Sequence, residues 1–250
     1  MITAILNGYN RPQNIPKQIE ALRNQTIPPT EILLWYNQGS EPPFKVDSSI
    51  KAAYCNHNFK YHGRFAFALL AKTKYVALFD DDTIPGKKWF ENCLNTSKTY
   101  PGILGSTGIV LLDAKYHPNK VIGWNSHKSN HTIEVDLVGH AWFMERKHLT
   151  YLWYEDPISW ENGEDIQLSY LAQKYGGVRT FVPPHPVNQE DLWGSIQGRE
   201  LGTDSFASYK LRGIEFTHER DEIVRKSVEN GWGLVKDRLG RRKMFDPAKV

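Results

Sequence analysis

The stretch "KYVALFDDDTIPGKKWF", Lys74 to Phe90, sets three adjacent carboxylates, Asp80, Asp81 and Asp82, directly after the apolar run Tyr75–Phe79. Adjacent carboxylates repel, and ionised groups at the end of a buried segment are costly to desolvate. In an extended segment Asp80 and Asp82 point one way and Asp81 the other. A divalent cation makes such crowding tolerable. Mg²⁺ and Mn²⁺ take oxygen ligands, commonly one or two carboxylates completed by phosphates. A plainer reading makes the triplet a helix start, with Asp82 or Thr83 as cap and Pro85 in the first turn. Capping needs one acidic residue and not three, and the two readings are compatible.

Outward from this stretch, short apolar strands alternate with amphipathic helices. "TAILN" (Thr3–Asn7), "EILLWYN" (Glu31–Asn37) and "KYVALF" read as strands. "IPKQIEAL", the segment Arg64–Ala71 and "KKWFENCL" read as helices, with Ile15, Ile19 and Leu22 at helical spacing. This alternation predicts an α/β fold with a mostly parallel central sheet flanked by helices. Ligands of such sheets bind outside the carboxyl ends of the strands, where "NGYNR", "YNQGS" and "DDD" all fall. The second half reads "TGIVLLD" and "EVDLVGHAWFM" as strands and "VRTFVPPHP" as a short terminal one. "GEDIQLSYLAQKYGG" reads as a helix with a stripe of Leu168, Leu171, Ala172 and Tyr175, stopped by Gly176-Gly177.

The chain has 250 residues, enough for one large domain or two small ones. Its 31 basic and 28 acidic residues leave a formal charge of +3, too small to imply nucleic-acid binding. Eight Trp and twelve Tyr supply core, and such a load also suits ring stacking on sugar-like ligands. Two cysteines, Cys55 and Cys93, have no metal-type spacing and point to a reducing compartment. No secretory signal or bilayer-length apolar run is legible, so the expectation is a cytoplasmic chain, or a domain of a larger one, without a transmembrane segment.

The segment "AILNGYNRPQNIPKQIEALRNQTIPPTEILLWYNQGS" resembles the opening of nucleotide-sugar glycosyltransferases of the GT-A fold. "YVALFDDDTIPGKKWFENCL" is similar to their Asp-x-Asp segment and following helix, and "GEDIQLS" to their later Glu-Asp element. The likeness runs in order from Met1 to Gly177, and within the group it looks closest to glycosyltransferase domains of large algal (chlorella) viruses. It implies a Rossmann-type, GT-A-like single domain over residues 1–215, with a nucleotide-binding half at 1–100 and an acceptor half at 101–215. Residues 216–250 are then a helical or basic tail or linker, closing on Arg241-Arg242-Lys243.

The resemblance also implies roles. Gly8, Tyr9, Asn10 and Arg11 lie in the loop that holds the nucleotide, and Asn37 and Gln38 in the turn near the base, where many relatives carry Asp. Arg64 faces the diphosphate, Asp80 the ribose or base, and Asp81 the sugar. Asp82, with Asp80 and the late His218, is expected to hold Mn²⁺ or Mg²⁺. Asp165 is the expected general base of an inverting enzyme, with Glu164 beside it and Glu161 a weaker neighbour; in a retaining enzyme a carboxylate there would orient sugars. A plain account of Glu164-Asp165 is the favourable field at a helix N-terminus. Trp142, His185 and Trp193 are candidates for sugar contacts, each with core packing as the simpler role.

The implied activity is transfer from a UDP-sugar, UDP-glucose or UDP-rhamnose, to a glycan or glycoprotein acceptor, in viral capsid glycan synthesis within host cytoplasm. Two other classes compete. A haloacid-dehalogenase-type phosphohydrolase also uses Asp-x-Asp after a strand, but with Gly-Thr following and the motif on the first strand. A non-catalytic carbohydrate-binding protein would use the aromatics and needs no metal cluster beside Arg64.

Overall fold

The computed structural model describes residues 1–37, 44–123, 127–196 and 198–239. Strands β1 (Ile2–Gly8), β2 (Glu31–Asn37), β3 (Lys51–Cys55) and β4 (Tyr75–Phe79) form a parallel block in the order β3-β2-β1-β4. Every residue of β1 is buried, as a strand covered on both faces requires. Helices α1 (Ile15–Arg23) and α3 (Trp89–Thr99) cover one face, packing Ile15, Leu22, Phe90 and Cys93 on Ala4, Leu6 and Phe79. Helix α2 (Gly63–Ala68) and α4 (Glu164–Gly176) cover the other, setting Phe65, Ala68, Leu168 and Ala172 against Ile5, Leu78 and Trp142. The expected α/β class with a flanked central sheet is therefore present.

The sheet continues through β8 (Leu137–Glu145), antiparallel to β4, then β5 (Gly102–Asp113), β9 (Arg179–Val182) and β7 (Ile133–Val135), with β6 (Lys115–Gly123) also on β5. The parallel partners Leu6↔Phe79 and Gly8↔Tyr36 bring the carboxyl ends of β1, β2 and β4 to one edge. The apolar runs are long enough to decide the strands, and the register decides what meets at their ends.

Several expectations are corrected. "EVDLVGHAWFM" is two strands, β7 and β8, broken at Asp136, whose buried carboxylate accepts the N–H groups of Leu111 and Val235. Tyr175 leaves the core stripe of α4: it is exposed and donates to Glu155. The acidic triplet caps no helix, because α3 begins only at Trp89 with Lys88 before it. Strands β3 and β6 lacked a readable signal; β3 is a half-exposed edge, and β6 carries Pro118 after a cis bond, which suits an edge strand.

After α5 (Gly198–Gly202), the helix α6 (Ser208–Glu229) bends at Gly213 and is followed by α7 (Val235–Leu239). Within the stretch expected as a helical or basic tail, the residues up to Glu229 and Val235–Leu239 are helical, and Ile223, Val224, Trp232 and Leu234 pack against Ile166, Tyr170, Leu171 and Leu137. Arg241-Arg242-Lys243 lies outside the described residues.

Candidate active site

The triplet sits at the end of β4 with each carboxylate facing a different partner. Asp80 Oδ1 lies 2.7 Å from Arg64 Nη1 of α2, and Asp81 Oδ1 lies 2.7 Å from Arg11 Nη1 of the loop after β1. The same Arg11 nitrogen is 3.5 Å from Asp82 Oδ2. Backbone geometry is fixed from α1 and the turn before it: Asn14 donates to the Asp81 carbonyl, and Gln18 donates to the carbonyls of Asp80 and Thr83. Arg11 is gripped from a third side by Asp204, which accepts from Nε at 2.8 Å and from Nη2 at 2.6 Å.

His140 completes the cluster. Its Nδ1 is 3.8 Å from Asp80 Oδ2 and 3.9 Å from Asp82 Oδ1. The pairing of β5 with β8 slips between Gly105↔Trp142 and Thr107↔Gly139, so β8 carries an extra residue there, and His140 adopts φ +64°. Such a bulge bends the strand and re-aims a side chain, here toward the end of β4, where the His140 carbonyl also accepts the Asp80 N–H. Sequence reasoning passed over His140; its only signal was "GH" inside an otherwise apolar strand. His218, the histidine expected as a ligand, is exposed on α6 and is not part of this group.

Burial and charge divide the three acids. Burial raises Asp80, aided by Asp82 and opposed by Arg64. Burial and Asp82 push Asp81 up to about 6 against the pull of Arg11. Burial works the same way on Asp82, but His140 and Arg11 outweigh it and hold that carboxyl below its ordinary value. Burial disfavours charge on His140, and the Asp82 and Asp80 carboxylates more than offset this, so its pKa is raised. Among the described residues, Asp80, Asp82 and His140 each offer a ligand atom, and these atoms lie within 4.8 Å of one another. Two carboxylate oxygens and an imidazole nitrogen suit Mn²⁺ better than the oxygen-demanding Mg²⁺. The donor set therefore fits the implied metal.

The Glu-Asp element opens α4 behind a left-handed Gly163 (φ +81°), where a Cβ would meet Ile223 at 2.5 Å. Glu164 is buried, lies 3.0 Å from Arg64 Nη2, and is pushed up to about 7 by burial and the adjacent Asp165, against Arg64. Asp165 Oδ2 accepts from Arg220 at 2.7 Å, and Oδ1 accepts from the Ile166 N–H at 2.9 Å. Arg64 thus bridges the acidic triplet and the Glu-Asp element.

The remaining expected residues are placed as follows. Gly8 is a packing position, since a Cβ would meet the Tyr36 ring at 2.6 Å. Asn37 donates to Asn58 Oδ1 and the Lys60 carbonyl and accepts from Phe59 N–H, which organises the 58–60 turn. The Tyr9 hydroxyl accepts from Asn58, and Asn10 is half-buried beside it. Gln38 lies outside the described residues. Glu161 pairs with Lys60 at 3.0 Å. Trp142 is buried under the Arg64 guanidinium, 5.1 Å from ring centroid to Cζ, and so has no open face for a sugar. His185 is buried and bonded to the carbonyls of Pro183 and His127. Trp193 donates to Pro186, with Lys128 over its ring. Trp142 and His185 take the packing role, and Trp193 is half-buried.

No family model matches the chain, and no curated protein sequence matches it. Solved structures do. Residues 1–349 of Staphylococcus aureus TarS match with a TM-score of 0.56 at 13% identity, over 94% of this chain and 72% of that one. A longer TarS structure gives 0.56 at 14% identity, over 95% of this chain, which spans only 44% of its length. No described helix is long and apolar enough to cross a membrane. At this identity the likeness carries the fold alone: the chain shares the α/β architecture of TarS, consistent with a GT-A-like fold.

Proposed function

We propose that this chain is a metal-dependent glycosyltransferase that uses a UDP-sugar donor. The observation that carries the reading is the Asp80–Asp82–His140 group at the carboxyl edge of the parallel block, flanked by Arg11 and Arg64. A phosphohydrolase of the haloacid-dehalogenase type would place its acidic motif on the first strand, whereas here the triplet follows β4. A carbohydrate-binding protein would have no use for two buried arginines beside a metal-type donor set.

Asp80, Asp82 and His140 would hold Mn²⁺ or Mg²⁺. Bound there, the ion supplies positive charge for the departing diphosphate. Arg64 and Arg11 supply further fixed charge to the same oxygens. The Arg64 Nε–H is buried with no partner among the described residues, a donor left over after its two carboxylates. Asp165 accepts the acceptor hydroxyl proton as the new bond to the anomeric carbon forms. The bond from that carbon to the diphosphate oxygen breaks, and its electron pair leaves on UDP. Glu164, tied to Arg64, couples the acceptor side to the donor side.

The resemblance to algal-virus domains supports UDP-glucose or UDP-rhamnose as donor, a glycan or glycoprotein acceptor, and viral capsid glycan synthesis in host cytoplasm. The test is calorimetry with UDP in the presence and absence of Mn²⁺, followed by UDP release from a panel of UDP-sugars. Metal-dependent UDP binding and turnover of one donor are expected. Absence of UDP binding with Mn²⁺ present rejects the reading.

A further inference from the structure

Arg220 lies deep in the protein on α6, far along the chain from every motif used above, yet it reaches the Glu-Asp element. Its Nη2 donates to Asp165 Oδ2 at 2.7 Å, and its Nη1 donates to Asn162 Oδ1 at 3.1 Å. The guanidinium carbon stacks 4.2 Å from the Tyr116 ring centroid and 5.5 Å from that of Phe216. Its Nε–H is buried with no partner among the described residues. A buried arginine with an orphaned donor is a poor way to gain stability, since well-packed apolar residues do as well or better. What the arrangement does supply is orientation. The carboxylate on α4 is held by a fork that cannot rotate, on a platform from β6 and α6.

We propose that Arg220 is a positioning residue for Asp165: it fixes the carboxylate's direction so that it is ready to take a proton. This rests on the transferase reading for the role of Asp165 and adds the residue that sets its geometry. Charged and titratable groups face Asp165 from each neighbouring element: Arg220 of α6, Tyr116 of β6, Glu164 of α4, Asp80 at the end of β4 and His140 of β8. Arg220 is the permanently charged cation in this set and makes the direct contact, so its removal frees the Asp165 carboxylate to turn.

The experiment compares Arg220→Met, which keeps the aliphatic packing, with Arg220→Lys, which keeps the charge but not the fork. UDP release from the donor found for the wild type is followed across pH, below each variant's Tm. In Arg220→Met kcat falls about tenfold or more through lost orientation. Donor KM stays within about twofold, because the metal group is untouched. Arg220→Lys keeps the charge without the fork and also lowers kcat; if Arg220→Met does not fold, a wild-type kcat in Arg220→Lys overturns the proposal. In an Asp165→Asn background, Arg220→Met has no further effect on kcat. A wild-type kcat in folded Arg220→Met, or a full additional loss in the double variant, overturns the proposal. A second readout needs no donor: the carboxyl ¹³C resonance of Asp165, assigned by its loss in Asp165→Asn, should shift in Arg220→Met and leave the Asp136 resonance in place. A failed transferase assay with a shifted resonance counts against the enzyme reading and not against the contact; an unshifted resonance overturns the contact itself.

Discussion

Arg64 Nη1 lies 2.7 Å from Asp80 Oδ1, and this pair of a buried arginine and a half-buried carboxylate joins helix α2 to the end of strand β4. The other arm of the guanidinium meets Glu164 at 3.0 Å, so one side chain compensates carboxylates from two further elements. Removing a single partner of a buried ion pair leaves an unpaired charge and costs about 3–5 kcal/mol. Arg64→Ala is therefore expected to lose about that much stability in urea denaturation. Arg64→Lys should lose less, because an ammonium keeps the charge but spans only one of the two carboxylates. A loss below about 1 kcal/mol in Arg64→Ala would mean that the pair holds nothing together.

Asp82→Asn separates folding from metal binding. It removes a charge that His140 and Arg11 favour along with its repulsion of the neighbouring acids, so the ligand-free variant should fold and melt at or slightly below the wild-type temperature. Stabilisation by Mn²⁺ plus UDP, about 2.7 kcal/mol at a hundredfold excess over Kd for the wild type, should disappear. Thermal melts with and without both ligands read both effects. Stabilisation equal to the wild type's would remove Asp82 from the metal set.

His140 offers a second handle on the same site. Its φ of +64° is a conformation that Asn tolerates, so His140→Asn should fold with the bulge intact. Loss of the imidazole nitrogen should weaken Mn²⁺ more than Mg²⁺, since nitrogen ligands favour the former. Calorimetric titration with each ion checks the ratio. His218→Ala, in contrast, should leave both affinities unchanged.

Asp204 holds Arg11 by two hydrogen bonds at 2.8 Å and 2.6 Å, but its side chain is 35% exposed. Exposure limits the worth of such a pair to about 1 kcal/mol or less. Asp204→Ala should barely change Tm, while UDP binding tightens several-fold, because Arg11 no longer divides its donors between Asp204 and the ligand. Weaker UDP binding in this variant would show instead that Asp204 orients Arg11 for the nucleotide.

Asp136 gives a pH signature far from the site. Burial raises its pKa from an ordinary 3.8 to about 6, against the N–H groups of Val235 and Leu111. The folded state then holds the proton more tightly than the unfolded chain. Its contribution to stability is fully present below about pH 4, falls as pH rises through about 6, and is flat above. The change is of order 3 kcal/mol. Asp136→Asn should remove its share of the slope in denaturation curves between pH 4 and 7, leaving the shares of Asp81 and Glu164, and an unchanged slope would take Asp136 out of the account.

The runs "TAILN", "EILLWYN" and "KYVALF" were legible as strands because burial on both faces forces unbroken apolar stretches. Their polar endings were legible as one edge because parallel strands must all finish on the same side. Asp80, Asp82, Arg64 and the Glu-Asp pair were named from that edge and from family likeness, and the structure brings them together. The triplet's crowding was also readable, since three carboxylates in a row need cations wherever they fold.

His140, Arg220 and Asp204 were beyond reach from sequence. His140 reaches the triplet through one extra residue in β8, and no local pattern marks a bulge that exists only when two strands pair out of step. Arg220 and Asp204 lie 55 and 193 residues from the partners they hold, Asp165 and Arg11. Periodicity reports which side of an element is buried, a property each segment carries alone. Which charge neutralises which is a property of distances between segments, and only the packed chain fixes those.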